Sequence, residues 1–301
     1  MELRQLKYFI KAAELQSFSE AARALNIAQS TLSQQVRQLE NELDIRLFDR
    51  QSNVIFLTEA AVEILPFARR TLSESESCVA KVNDLAAVAT GTLNIGVTYS
   101  FSPILTETLI EFTKKYPRVK LNIFYKPMAE LMEMLRNRSV DLVLAFRPSA
   151  RYEDIESHVL FQNHLAVIIK EDHPLAGNSA ITFSELSKWP LALPTRGLQA
   201  RNALDDCLST KEIALDIRIE LNEVNILLEV VKHSSLVSVL AEATVYNQSG
   251  VKAIRLSHPD NEMEGCVHVL KNCYRKRSAL ELIGMLRESS AVRARVNSWL
   301  L

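Results

Sequence analysis

From Thr58 to about Ala89 the chain keeps a helical apolar period and meets no glycine before Gly91. Such a helix is a natural connector, and at 301 residues the chain is too long for a typical single domain, so two or three units are expected. The expected division is a head over residues 1–58, a linker helix over 59–89 and a body over 90–301. Within the linker, Ala61, Leu65, Ala68, Leu72, Ser75, Val79, Val82 and Ala86 alternate at spacings of four and three. That is the a/d seam of a coiled coil, which predicts a homodimer through paired linker helices. The competing arrangement is a helix lying along its own body. Pro66 falls inside the seam and should bend or loosen its first turns.

The head reads as three helices and a hairpin. Leu3, Leu6, Phe9, Ile10 and Ala13 form one apolar face. A short second helix follows Ser17 or Ser19 as N-cap and ends near Asn26, a residue that tolerates turn geometry. A third, capped by Ser30 or Thr31, buries Leu32, Val36 and Leu39. Two short helices joined by a tight turn make a helix-turn-helix, with the small Ala22 where they cross closely. The outward residues are then Gln29, Ser30, Thr31, Ser33, Gln34 and Arg37, types that bond base edges and phosphates of duplex DNA. Ser19 and Arg50 are added as backbone contacts, Arg50 from a wing turning at Gln51-Ser52-Asn53. Charge alone does not argue for DNA. Over residues 1–57, Arg4, Lys7, Lys11, Arg23, Arg37, Arg46 and Arg50 are balanced by Glu2, Glu14, Glu20, Glu40, Glu42, Asp44 and Asp49. Attraction must come from placement and from helix N-termini.

The runs Ser17-Phe18-Ser19-Glu20-Ala21-Ala22, Gln29 to Glu40, Leu47-Phe48-Asp49-Arg50 and Leu57-Thr58-Glu59-Ala60 resemble the LysR-type transcriptional regulators in order and spacing. The resemblance implies a DNA-binding regulator, not an enzyme, with paired linker helices, tetramers built from two dimers, and RNA polymerase as a further partner. It also implies a body similar to periplasmic binding proteins, with a small-molecule effector between two subdomains. Three positions depart from the family pattern: Ser30 stands where proline is common, Ala61 replaces a glycine, and the wing lacks basic residues before Leu57-Thr58. The last predicts a shallow salt dependence. Two heads related by symmetry predict an inverted-repeat promoter site.

After Gly91 the texture changes to alternating strands and helices. Strands at Leu93–Val97, Lys120–Tyr125 and Asp141–Phe146, with helices at Pro103–Tyr116 and Ala129–Arg136, imply a mostly parallel sheet. Ala166–Ile169, Leu191–Leu193, Arg218–Leu221 and Leu236–Leu240 supply a second unit, and Cys266–Leu270 with a helix at Ser278–Ser289 returns to the first. The fold class is therefore α+β and multi-domain: a winged helix-turn-helix, a coiled-coil linker helix, and a two-subdomain α/β effector domain. Subdomain I takes 90–161 and 267–301, subdomain II 162–266. Ligands of such sheets sit at strand carboxyl ends and helix N-termini, which selects Thr98, Ser100, Ser102 and Arg147 on one side and Thr195, Gln199 and Arg201 on the other. Thr98, Ser100 and Thr195 also match effector-contacting segments of the family. Hydroxyls facing arginines point to a small anionic effector; the bland alternatives are N-caps for the serines and solvated charges for Arg196 and Arg201.

No nucleophile–base set, phosphate-binding glycine loop or metal spacing is present, and no cofactor is expected. Cys78, Cys207, Cys266 and Cys273 read as ordinary small apolar residues, and a peroxide-sensing role for Cys207 finds no second cysteine nearby in sequence. Charges break up Met1–Ser17 and no membrane-length apolar run occurs, so a cytoplasmic location without membrane contact is expected.

Overall fold

The computed structural model describes residues 1–51, 54–85, 90–148, 150–209, 213–246, 248–258, 261–290 and 292. Side chains are described for these except 50, 51, 54 and 83–85. The chain forms two compact units, the first of residues 1–88 with 137–139 and the second of residues 89–136 and 140–301.

In the first unit, α1 (Leu3–Leu15) buries Leu6, Phe9, Ile10 and Ala13 on one stripe. It ends in a left-handed Gln16. The Ser17 hydroxyl then caps α2 (Phe18–Ala24), accepting from the Glu20 N–H at 3.2 Å. Asn26, at φ +54°, turns the chain into α3 (Gln29–Leu43). The cap of α3 is Ala28, which offers no side-chain acceptor, so the expected Ser or Thr cap is corrected: Ser30 and Thr31 lie inside the helix. Strands β1 (Phe48–Gln51) and β2 (Val54–Leu57) pair antiparallel as the predicted wing. Edge-to-face contacts of Phe48 with Phe9 (5.7 Å) and Phe18 (5.2 Å) seat that wing on the helices.

The helix α4 (Glu59–Leu85) starts at Thr58, whose Oγ1 accepts from the Ala61 N–H and donates to the Arg46 carbonyl. Ala61 and Ala68 are buried in the head's own core, and Leu65 and Leu72 pack against it. The first half of the predicted dimer seam is thus an intramolecular contact, because the amphipathic head needs a fourth helix to cover its core. Val79 and Val82, further along, are exposed. Ala86 lies outside the described residues.

In the second unit, β3 (Gly91–Val97), α5 (Ser102–Lys115), β4 (Val119–Tyr125), α6 (Met128–Arg136) and β5 (Leu142–Phe146) form the predicted β-α-β-α-β segment. All three strands are parallel. Then β6 (Ile155–Lys170) runs sixteen residues without a break. It is followed by β7 (Ala180–Ile181), α7 (Phe183–Leu186), β8 (Leu191–Pro194), α8 (Gln199–Leu208) and β9 (Ile217–Leu221). Next come α9 (Val224–Lys232), β10 (Ser238–Ala241), β11 (Val251–Leu256), β12 (Glu262–Leu270) and α10 (Arg277–Glu288). One sheet has the order β4-β3-β5-β12-β6-β11-β7, with β10 also on β6; β8 and β9 pair separately.

Strand β6 belongs to both halves of the sheet. Its first part pairs with β12 as far as His164, and its last residues pair with β10 and β11. The long strand therefore passes from one half of the sheet to the other without a break, beside β12 at Gln162 and Glu264. Beside it, β12 shifts register between Gly265 and Cys266. A Cβ on Gly265 would fall 2.5 Å from the buried Phe161 ring, so only glycine lets these two strands approach there. Core clusters cover the two halves separately, one around Leu93, Phe101 and Phe146 and one around Val167, Leu193 and Leu227.

Candidate nucleic-acid interface and effector cleft

Helical periodicity places Leu32, Val36 and Leu39 inward, so α3 turns Gln29, Ser30, Thr31, Gln34 and Arg37 out to solvent, with Ser33 half-buried at the edge. Ser19 is exposed on α2. The Arg50 side chain and the turn at 52–53 lie outside the described residues. Glu40, on the resemblance run, is not a spectator. Its Oε1 accepts from the Leu47 N–H at 2.8 Å and the Phe48 N–H at 3.3 Å, fixing the start of the wing to α3. The carboxylate of α3 nearest the wing is thereby spent on the protein rather than presented to a polyanion.

The residues expected to meet an effector fare differently. Thr98 is buried and gives its N–H (3.0 Å) and hydroxyl (3.4 Å) to the Leu144 carbonyl. The cap of α5 is Phe101, and the Ser102 hydroxyl donates back to the Tyr99 carbonyl at 2.8 Å, so neither Ser100 nor Ser102 is an N-cap. Thr195 donates its N–H to Leu221 at 2.9 Å. Arg147 pairs through Nε with Glu264.

Arg201 is no surface charge. Its side chain is 4% exposed, and it bonds Asp205 at 2.9 Å, the Pro194 carbonyl at 3.0 Å, and Glu220. Gln199 bonds the Phe146 peptide through both ends of its amide.

A cavity of about 620 Å³ brings Arg147 and Gln199 together with Met128, Phe146, Tyr152 and Glu264. Asn202 and Asp206 join from α8, on the same helical face as Gln199, a spacing that sequence could have revealed. Tyr152 and Glu264 carry no such signal. Thr98, Ser100, Ser102 and Thr195 are not on its walls, and Arg201 borders a different cavity with Arg196 and Arg218.

Burial pushes the Cys266 thiol up to about 11, only partly offset by the nearby Arg147 guanidinium, so it stays protonated near neutrality. Burial likewise drives His268 down to about 4. Its ring is held between the Ser157 hydroxyl (2.8 Å) and the Ala145 carbonyl (3.2 Å), as a neutral imidazole between a donor and an acceptor. Among the described residues no group of His, Cys, Asp or Glu is arranged for a metal, and no helix is long and apolar enough to cross a membrane.

A winged head with an outward polar helix, followed by a two-lobed α/β domain with a cavity, defines a DNA-binding regulator with a small-molecule-binding domain. The description "Bacterial regulatory helix-turn-helix protein, lysR family" matches residues 3–62, and "LysR substrate binding domain" matches residues 86–291. The chain belongs to the LysR family of transcription regulators, which are not enzymes. It is 34% identical over 206 residues to the uncharacterized HTH-type transcriptional regulator YvbU of Bacillus subtilis (strain 168), spanning 66% of this chain and 68% of that one. Its fold is similar to a full-length OxyR variant from Pseudomonas aeruginosa, with TM-score 0.75, 23% identity and 97% of each chain covered. It is also similar to CbnR solved with its target DNA, with TM-score 0.66, 20% identity, and 98% of this chain and 100% of that one covered.

Proposed function

We propose that this regulator reads an inverted-repeat promoter site as a homodimer or homotetramer and changes its DNA contact when a small effector occupies the cleft. The observation that carries the reading is the outward face of α3, where Gln29, Ser30, Thr31, Gln34 and Arg37 share one exposed side. Gln34 would bond an adenine edge and Arg37 a guanine or a phosphate. Ser33, Ser19 and Arg50 would complete the set along the backbone. Residues 1–58 are the reading head, 59–89 the linker and 90–301 the effector domain, with subdomains at 90–161 plus 267–301 and at 162–266. The exposed Val79 and Val82 support pairing through the distal part of the linker, since its proximal part is occupied by the head. The regulator would work in the cytoplasm and contact RNA polymerase at the promoter.

In the cleft, Arg147 and Gln199 would meet the effector directly, while Thr98, Ser100, Ser102 and Thr195, which lie off the cavity walls, would act only by supporting the loops behind it. An anionic effector is favoured by Arg147, which could exchange Glu264 for a ligand acid. Arg201, held by its own carboxylates, would support the α8 turn rather than the ligand.

Selection from randomised duplexes with the full chain tests the reading. Recovery of an inverted repeat with half-sites about one helical turn apart, or a multiple of it, is expected. Recovery of a single unsymmetrical half-site would contradict the dimeric arrangement.

A further inference from the structure

We propose that Gln199 is a latch that holds the cleft between the subdomains closed before any effector arrives, by giving the end of β5 the partner its sheet lacks. This rests on reading the cleft as the effector site. Strand β5 is flanked by β12, where Phe146 stands opposite Gly265 and Arg147 donates its N–H to the Glu264 carbonyl at 2.8 Å. On its other side is β3, whose pairing with β5 ends at Val97 opposite Leu144. The chain leaves that edge at Thr98, after one last bond to the Leu144 carbonyl. Two residues further along β5, the Phe146 peptide has passed the end of its neighbour.

Gln199 fills the gap from the other subdomain. Its Oε1 accepts from the Phe146 N–H at 3.0 Å, and its Nε2 donates to the Phe146 carbonyl at 2.8 Å. The pairing supplies both bonds that β3, continued past Thr98, would have given from two of its residues. The same Nε2 lies 2.6 Å from Met128 Sδ, at the start of α6.

Position and chemistry both fit the role. Gln199 is the first residue of α8, delivered by a turn through Gly197 at φ +93°, where the Gly197 N–H is held by Asn202 Oδ1 at 3.0 Å. An amide side chain sets a donor beside an acceptor at neutral pH, as the two bonds require. Glutamate can still accept from the Phe146 N–H but opposes its carbonyl, and leucine offers neither bond. Because Phe146, Met128 and Gln199 all line the 620 Å³ cavity, a ligand entering it meets the latch directly. To open it, the ligand must satisfy the Phe146 peptide itself or admit water that does so.

Hydrogen–deuterium exchange on the full chain, resolved to single amides by fragmentation mass spectrometry, tests this with solvent as the only probe. In Gln199→Leu the Phe146 amide should exchange at least tenfold faster than in wild type, and in Gln199→Glu at an intermediate rate. The Arg147 amide, held by Glu264, and the core amides of Val167–Ile169 should not change, which reports an intact fold. An unchanged Phe146 rate in a folded Gln199→Leu protein overturns the latch. If that variant does not fold, the Phe146 rate in Gln199→Glu decides in the same way: faster supports the latch, unchanged overturns it. A ligand screen that finds no binder in the cleft would remove the effector reading and leave the exchange result standing.

Discussion

In the head, Gln34 and Arg37 extend outward from a helix whose other side is filled by Leu32, Val36 and Leu39. In the body, Gln199 and Arg201, two residues apart at the start of α8, are both already bonded to the protein. The contrast follows from what each region meets. DNA is approached as a surface, so a helix can keep one face for it and bury the other. A small-molecule cleft is assembled from distant segments, and its polar groups satisfy one another until a ligand replaces them. Composition sharpens the contrast. All seven glycines and all six histidines lie in residues 91–301, while the head makes its tight turns with Gln16, Asn26 and Asp44 at positive φ. The head is built on local helical contacts, while in the body Gly96 and Gly265 allow close packing and the rings of His173 and His268 are buried.

The largest expected difference between the two is in acid. His268 is fully buried and neutral, with its value lowered to about 4. Below pH 6.5 the unfolded chain binds a proton that the folded chain refuses. The stability tied to His268 is therefore complete above pH 6.5 and is lost as the pH falls toward 4. It amounts to ~3 kcal/mol from the size of the shift. Burial also lowers His164 and His173, which act in the same direction. Exchange protection followed from pH 7.5 to 4.5 should disappear in the body before the head. Loss in the head first would break the comparison.

Arg201→Met comes next. It removes a buried guanidinium from Asp205, Glu220 and the Pro194 carbonyl, and should cost about 2 kcal/mol, discounted because both carboxylates are partly exposed. Urea denaturation measures it. Unchanged stability with a lost effector response would instead return Arg201 to the ligand.

Ser17→Ala should be the mildest, about 1 kcal/mol from the lost cap on α2, confined to the head's melting transition. A shift in the body's transition as well would mean the two regions are more tightly coupled than their separate cores imply.

The head was the more legible region because helical periodicity names both its inner and outer faces. What escaped was local. Nothing in the pattern shows that Ala28 rather than Ser30 or Thr31 begins α3, or that Glu40 turns back to hold Leu47 and Phe48. The linker spacing predicts a partner helix, whereas Ala61 and Ala68 face the head itself. An apolar stripe states that it must be covered, not by what.

In the body, β3, β4 and β5 fell within a residue or two of expectation, since fully buried strands form short apolar runs. The sequence predicts only the most apolar stretch of the sixteen-residue β6, because polar residues such as Gln162, Asn163 and His164 interrupt it where it changes partners. The strands β7 and β11 fall outside those the sequence predicts. Least legible was the cleft: the partnership of Gln199 with Phe146 joins residues 53 positions apart and depends on where β3 stops.

The most direct test of the account is a genome-wide DNA pull-down with the purified full chain at moderate salt, run beside Gln34→Ala plus Arg37→Ala. Both side chains are exposed, so the double variant should fold with unchanged thermal stability. The account predicts that the wild-type protein enriches an inverted repeat and that the double variant loses it. Undiminished enrichment by the folded double variant, or no specific DNA for the wild type at any salt concentration, would contradict it.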